Sequence, residues 1–175
     1  MDARAPKDIA ALLKEDRAYD VVPQHVLASM SGLEFMQAMV DSKLPAPPIT
    51  RTMSFLVTKV DKGYALAEAI PSFDHYNPLG SVHGGFAATI LDTVLGVSVH
   101  TTLDKGQGFT TLEFKVSFIK AITKDTGTVR AEGRVLSTGR RVATAEAHLK
   151  DTNGKLLAHA TTTCLVFEIP QAKVA

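Results

Sequence analysis

A chain of 175 residues, 45% hydrophobic and 21% charged, has the make-up of an ordinary globular protein and the length of one domain with room for a tail. A net charge of +1 excludes any global electrostatic pull toward nucleic acid or membrane. Cys164 is the lone cysteine, which leaves no disulfide framework, zinc site or CxxC redox pair within one chain. Met1 to Arg17 is charged and lacks an apolar signal-peptide core, so a cytoplasmic location is expected.

Residues 1 to about 28 mix charges with weak periodicity and predict a loosely held arm, with a short helix where Ile9, Leu12 and Leu13 share a face. Ser31 and Glu34 form a capping-box pair ahead of Leu33, Met36 and Val40, which predicts an amphipathic helix to about Ser42. Pro45, Pro47 and Pro48 end it and predict a stiff linker. Strands are expected at Met53–Val60 and Tyr64–Ile70, joined by a turn at Asp61-Lys62-Gly63.

The run Val82–Val99 is apolar on nearly every face and predicts a buried helix over about 84–99. It approaches membrane-spanning length, but Asp92 near its centre, three glycines and two threonines argue against a span. After a turn-rich loop, Leu112, Phe114, Val116 and Phe118 alternate with Thr111, Glu113, Lys115 and Ser117, the pattern of a half-buried strand. Further strands fit at Thr128–Leu136, Arg141–Lys150 and Leu156–Phe167, with turns at Ser137-Thr138-Gly139 and Asn153-Gly154. The order predicts an α+β fold: an antiparallel sheet whose apolar face is covered by the long helix. The expected division is an arm at 1–49, a domain at 50–169 and a tail at 170–175.

Asp92 is the only formally charged side chain between Ser81 and Val99. A carboxylate on a buried helix is costly unless it is paired, hydrogen-bonded or neutral; an interface hydrogen bond or chemistry would justify it. At the helix start, His83-Gly84-Gly85 offers first-turn N–H groups with no intrahelical partner and a backbone that a ligand can approach, suited to an oxyanion or polarised carbonyl. The glycines equally permit a sharp loop-to-helix turn. Asn77 fits a ligand contact or a cap on its own turn, and His83 an acid, base or metal ligand, or a pin on local backbone. Asp92 follows Gly84 by eight residues, a rise of about 12 Å. A reacting group must act within about 3 Å. One chain therefore cannot bring both to the same carbon, whereas two helices packed antiparallel about a two-fold can. A catalytic reading predicts a homodimer with two shared sites.

The series Asn77…Gly80…His83-Gly84-Gly85…Asp92 resembles the acyl-CoA thioesterases of the hotdog fold, specifically the PaaI-like (phenylacetate-degradation-type) branch, over about Thr50 to Phe167. The resemblance implies a curled antiparallel sheet around the long helix, and dimers that pair into tetramers. It implies that the Gly84 N–H polarises a thioester carbonyl, that Asp92 of the partner subunit is nucleophile or general base, and that Asn77 and His83 shape the carbonyl and leaving-group side. It further implies a water-placing hydroxyl at Thr111, with Thr110 next in line, and CoA phosphates met by Gly139, Arg140 and Arg141. Residues 115–155 hold nine Lys/Arg against four acids, enough to receive an anion or simply a solvated strand face. No cofactor or metal is expected, CoA being part of the substrate.

Two alternatives are weighed against it. Asp74…Asn77-Pro78…His83 loosely resembles a hotdog hydratase motif, but its spacing departs. A non-catalytic acyl-CoA sensor that reads DNA would want a basic extension; residues 1–49 carry five Lys/Arg against seven acids. Candidate walls for the acyl group (Met53, Phe55, Phe73, Phe86, Ile90) are equally explained as core.

Overall fold

A computed structural model describes residues 8–170. Four short helices, α1 (Ile9–Leu12), α2 (Gln24–Ser29), α3 (Gly32–Val40) and α4 (Pro48–Thr52), precede strands β1 (Phe55–Asp61) and β2 (Tyr64–Ala69). The long helix α5 (Gly84–His100) follows, then β3 (Gln107–Phe118), β4 (Val129–Thr138), β5 (Val142–Asp151) and β6 (Leu156–Glu168). The six strands form one antiparallel sheet in the order β1-β2-β4-β5-β6-β3. β1 and β3 are its edges, and α5 packs across one face against β2, β4 and β5.

The inner face of the sheet is built from small side chains. Ala65, Ala67, Ala69, Ala131, Ala143, Ala145, Ala147, Ala158 and Ala160 are all buried, while the large partners come from α5: Phe86, Ile90, Leu91, Val94, Leu95 and Val99. This division lets the helix sit deep in the curl of the sheet. At Gly133 it sits so close that a Cβ would collide with the Val94 carbonyl. Burying six such side chains contributes on the order of 10 kcal/mol before the entropy of ordering them is charged.

The capping box forms as expected: the Glu34 N–H donates to Ser31 Oγ, and Glu34 Oε2 accepts from the Ser31 N–H at 2.9 Å. The proline segment is not a plain linker. Pro48 opens α4 at its first turn, where the missing N–H costs nothing. β1 therefore starts at Phe55, after Ser54 turns the chain at φ 50°. Residues 8–28 are better fastened than the weak periodicity suggests. Ile9 packs with Ala46 and Leu56, and Tyr19 bridges to Ala46. Residues 1–7 of the arm and 171–175 of the tail lie outside the described residues.

Helix α3 docks on the C-terminal end of α5. The Gly32 N–H donates to the Leu103 carbonyl at 3.0 Å, and a Cβ on Gly32 would strike the His100 carbonyl. The buried His100 ring lies 5.4 Å from Phe35 and 5.5 Å from Phe109. Burial pushes its pKa down from 6.5 to about 4, because the cation would lose its water. The unfolded chain then binds a proton that the folded chain refuses between those values. Stability is whole above pH 6.5 and falls as pH drops toward 4, by on the order of 3 kcal/mol in all. His100→Gln should flatten this part of the stability–pH curve measured by denaturant unfolding. A variant curve parallel to wild type between pH 6.5 and 4 would refute the role given to His100.

Candidate active site

Three chain segments meet at the start of α5. His83 caps the helix, its Nδ1 accepting from the Gly85 N–H at 2.9 Å, and the Phe86 N–H donates to the His83 carbonyl. The His83 N–H itself donates to the His75 carbonyl at 2.7 Å, and the Val82 N–H to the Ile122 carbonyl at 2.9 Å. The loop before the helix is thus pinned on both sides. With Gly85 and Phe86 satisfied, the Gly84 N–H is the first-turn donor without a hydrogen bond among the described residues. It carries the positive end of the helix dipole. Gly84 borders a cleft of about 400 Å³ lined by Val82, Ala87, Phe118, Lys120, Ile122 and Leu157, among others. The Phe118 ring lies over Gly84, where a Cβ would come within 3.0 Å of Cζ.

Asp92 sits two turns further on, half-buried on the side of α5 that faces β3. Thr111 Oγ1 donates to Asp92 Oδ1 at 3.3 Å, a long bond. Desolvation raises the Asp92 pKa above the usual carboxylate value, and the Thr111 hydroxyl opposes that rise. Behind them lies Cys164, which stands opposite Thr111 in the β3–β6 register. Burial pushes its thiol up and the Asp92 charge pushes the same way, while the Thr162 and Thr111 hydroxyls oppose.

The contact with Thr111 depends on a bulge. Thr111 pairs with Cys164 and Glu113 with Thr163, so Leu112 is the extra residue. The insertion flips the pleat. Thr111 joins the inner face with Phe114, while Leu112, expected inside, is 57% exposed. Thr110 pairs with Leu165 one step before Thr111 and is exposed; Thr111, not Thr110, is the hydroxyl that reaches Asp92.

Asn77 does not reach into the cleft. Its Oδ1 accepts from the Leu79 and Ser81 N–H groups, at 2.9 and 3.3 Å, and its Nδ2 donates to Ser81 Oγ at 3.1 Å. Of the two readings open for Asn77, the turn is the one formed. Asp74, the acid of the hydratase-like series, sits in a 3₁₀ turn with His75. The buried His75 ring packs 4.5 Å from Phe86, and its Nδ1 accepts from the Ser72 N–H at 3.0 Å, which spends it on structure. Among the supposed pocket walls, Phe55, Phe86 and Ile90 are core and Phe73 is exposed; none of them lines the cleft beside Gly84. Phe118 and Lys120, which do line it, carried no signal beyond strand alternation and the basic stretch.

Register also fixes which ends of the site belong together. Gly84 contacts Phe118 at the end of β3, whereas Asp92 contacts Thr111, seven residues earlier. The turn with Gly139, Arg140 and Arg141 joins β4 to β5 where Ala143 pairs with Cys164, so this exposed basic turn lies at the Asp92 end. Within one chain the free amide and the carboxylate stay apart.

The sequence pattern of the Thioesterase superfamily matches residues 79–158, which contain Gly84, Asp92 and Thr111. A protein of Saccharolobus solfataricus, named as an inferred esterase, is 33% identical over 116 residues, covering 66% of this chain and 80% of that protein. The chain belongs to the thioesterase superfamily. Among solved structures, a phenylacetic acid degradation-related protein of Ralstonia eutropha, described as an inferred thioesterase, superposes with a TM-score of 0.68 at 29% identity. That match covers 75% of this chain and 98% of the other. A Streptococcus mutans protein bound to acetyl CoA shares the fold at 23% identity and a TM-score of 0.61, over 67% of this chain and 92% of that one. The fold is the hotdog fold, with an N-terminal helical part added, and this thioesterase-superfamily chain is a thioester hydrolase. Among the described residues, no helix is long and apolar enough to cross a membrane.

The electrostatics of this thioesterase make a check that needs no substrate. A raised folded pKa on a carboxyl means that folding favours the protonated form, so its stabilisation is present at low pH and lost as pH rises through that pKa. Asp92→Asn should melt at or a few degrees above wild type at pH 8. In carbon NMR titrations the Asp92 carboxyl should titrate above ordinary aspartate, and higher still in Thr111→Val, which removes the opposing hydroxyl. A midpoint at or below the ordinary value would contradict this description of the site.

Proposed function

We propose that the protein hydrolyses an acyl-CoA thioester to the free acid and CoA, in sites shared between two subunits, as the PaaI-like resemblance implies. The observation that carries the reading is the pairing of a free helix-terminal N–H with a cleft on one side and a hydroxyl-bonded, base-strengthened carboxyl on the other.

In this mechanism the thioester carbonyl oxygen accepts from the Gly84 N–H, so negative charge developing on oxygen meets the helix dipole. Asp92 of the partner subunit takes a proton from water as the water oxygen attacks the carbonyl carbon. The tetrahedral intermediate then collapses, the C–S bond breaks, and the thiolate of CoA leaves and is protonated. In the alternative role, the carboxylate of Asp92 of the partner subunit attacks the carbonyl carbon, the C–S bond breaks to release the CoA thiolate, and water opens the resulting anhydride to free acid and carboxylate. Thr111 of the same subunit as the carboxylate orients it and holds the water. His83 keeps the amide aimed by capping the helix, and Asn77 holds the loop that delivers His83. Arg140 and Arg141, with Gly139 in the turn, meet CoA phosphates. The acyl group is aromatic or medium-chain, and the apolar lining of the cleft suits either.

Dimerisation follows from the same geometry and has support in the surface. The edge strand β3 exposes Leu112 and Phe118, at 57% and 56%, with Ile119 beside them. Such an edge invites pairing with a second copy. Along α5, Gly85, Ala88, Thr89, Asp92 and Thr93 form a stripe that the sheet leaves partly open. A homodimer covering both, paired again into a tetramer, is the proposed assembly, and a cytoplasmic location is the proposed setting.

The amide can be tested as a single atom. His83 already has φ −61° and ψ 139°, the conformation required before proline, and position 84 is the first helical residue. Gly84→Pro deletes the donor; Gly84→Ala keeps it while adding nearly the same bulk against Phe118. With a panel of acyl-CoAs and a thiol-detecting reagent, Gly84→Pro should lose about 10²–10³ in kcat relative to Gly84→Ala. Asp92→Asn should lose about 10²–10⁴ while staying folded. Equal rates for the two Gly84 variants, or wild-type turnover in Asp92→Asn, would overturn the assignment. Loss of enoyl absorbance from a 2-enoyl-CoA without thiol release would favour the hydratase reading.

A further inference from the structure

We propose that Glu146, His148 and His159 form a binding site for a late first-row divalent transition-metal ion on the outer face of the sheet. Glu146 and His148 are two residues apart on β5, so both project to the same face. His148 stands directly opposite His159 of β6, and their rings lie 4.8 Å apart. The ligand atoms of all three side chains lie within 4.8 Å of one another. Ligand atoms around a bound tetrahedral ion are about 3–3.5 Å apart. The remaining gap closes by rotation of half-buried side chains, with no movement of the strands.

The three groups engage one another only weakly. Among the described residues none makes a hydrogen bond, and His159 Nε2 stands 4.0 Å from Glu146 Oε2, the outer limit of an ion pair once the imidazole is protonated. That is too long for a hydrogen bond. Two neighbouring arginines are engaged elsewhere. Arg134 pairs with Glu146 in register, but its guanidinium lies over the Tyr64 ring at 4.6 Å. Arg130 binds Glu68 at 2.8 Å. Glu132, opposite His148 on β4, adds a second carboxylate to the same row.

Two imidazoles and a carboxylate, with an open remainder for water, suit zinc, cobalt, nickel or copper over magnesium or calcium. The lone cysteine excludes thiolate zinc sites only; this donor set owes nothing to it. Sequence spacing hides the cluster, since His159 lies eleven residues after His148 and reaches it only through strand pairing. The site bridges β5 and β6 on the face away from α5, so the sheet separates it from Asp92 and Gly84.

The test is calorimetric titration of the chelator-treated full chain with ZnCl2, repeated with CoCl2 while visible absorption is recorded. The expected result is one ion per chain in the micromolar range or tighter, visible bands from nitrogen- and oxygen-bound Co²⁺, and no competition from Mg²⁺. His148→Ala and His159→Ala should each weaken Zn²⁺ binding at least tenfold and Glu146→Gln several-fold, with His25→Ala unchanged. All these side chains are partly or fully exposed, so the variants should melt with wild type in the absence of metal; the isosteric Glu146→Gln keeps the test readable if a histidine variant does not. No saturable Zn²⁺ binding, or unchanged affinity in the His148→Ala/His159→Ala double variant, would overturn the proposal.

Discussion

A helix cannot bring its first-turn amide and a carboxylate eight residues later to one carbon atom. Most of what distinguishes this protein follows from that separation. Gly84 and Asp92 both sit on α5, held rigidly by the sheet around it. Their partners on β3, Phe118 and Thr111, are likewise apart. A site that uses both groups must be completed from outside the chain, and oligomerisation then becomes part of the chemistry rather than an accessory to stability.

The sheet makes that separation rigid. A concave face lined by alanine, with Gly133 against the Val94 carbonyl, draws the helix close enough to fill the curl with its own large side chains. One consequence is electrostatic. A helix this deep in apolar surroundings desolvates Asp92, and the single hydroxyl of Thr111, at a long 3.3 Å, only partly compensates. The protein keeps a carboxyl that costs stability, and the raised proton affinity is the property a general base needs. A second consequence is the unpaired Gly84 N–H, since the fixed entry of the chain through His83 spends every other early donor on the cap and the turn.

Much of this was legible in the residues. An all-apolar run interrupted by one carboxylate marked α5 and Asp92, and Ser31 with Glu34 marked the start of α3. The inward Thr111 was not legible from alternation. A bulge adds one residue without altering composition, so the period-2 pattern placed Leu112 inside and Thr111 outside, the reverse of what the register gives. Thr111 entered only through family resemblance. Asn77 was ambiguous for a different reason: an amide that can reach a ligand can equally close its own turn, as its three hydrogen bonds to Leu79 and Ser81 do. In the Glu146–His148–His159 cluster only the first two are near in sequence, and cross-strand pairing brings in the third. The shared face of Ile9, Leu12 and Leu13 marked α1, whereas α2 and α4 are too short to impose a periodicity on the sequence.

The shared site is tested most directly by subunit complementation. Asp92→Asn and Gly84→Pro chains carrying different affinity tags are mixed, exchanged and purified as heterodimers. Thiol release from an acyl-CoA is then measured against each parent homodimer. A site shared across the two-fold joins the intact Gly84 of one chain to the intact Asp92 of the other, so each heterodimer should recover about half the wild-type rate per dimer while both parents stay nearly inactive. Heterodimers as inactive as their parents would place amide and carboxylate in the same chain's site and contradict the account.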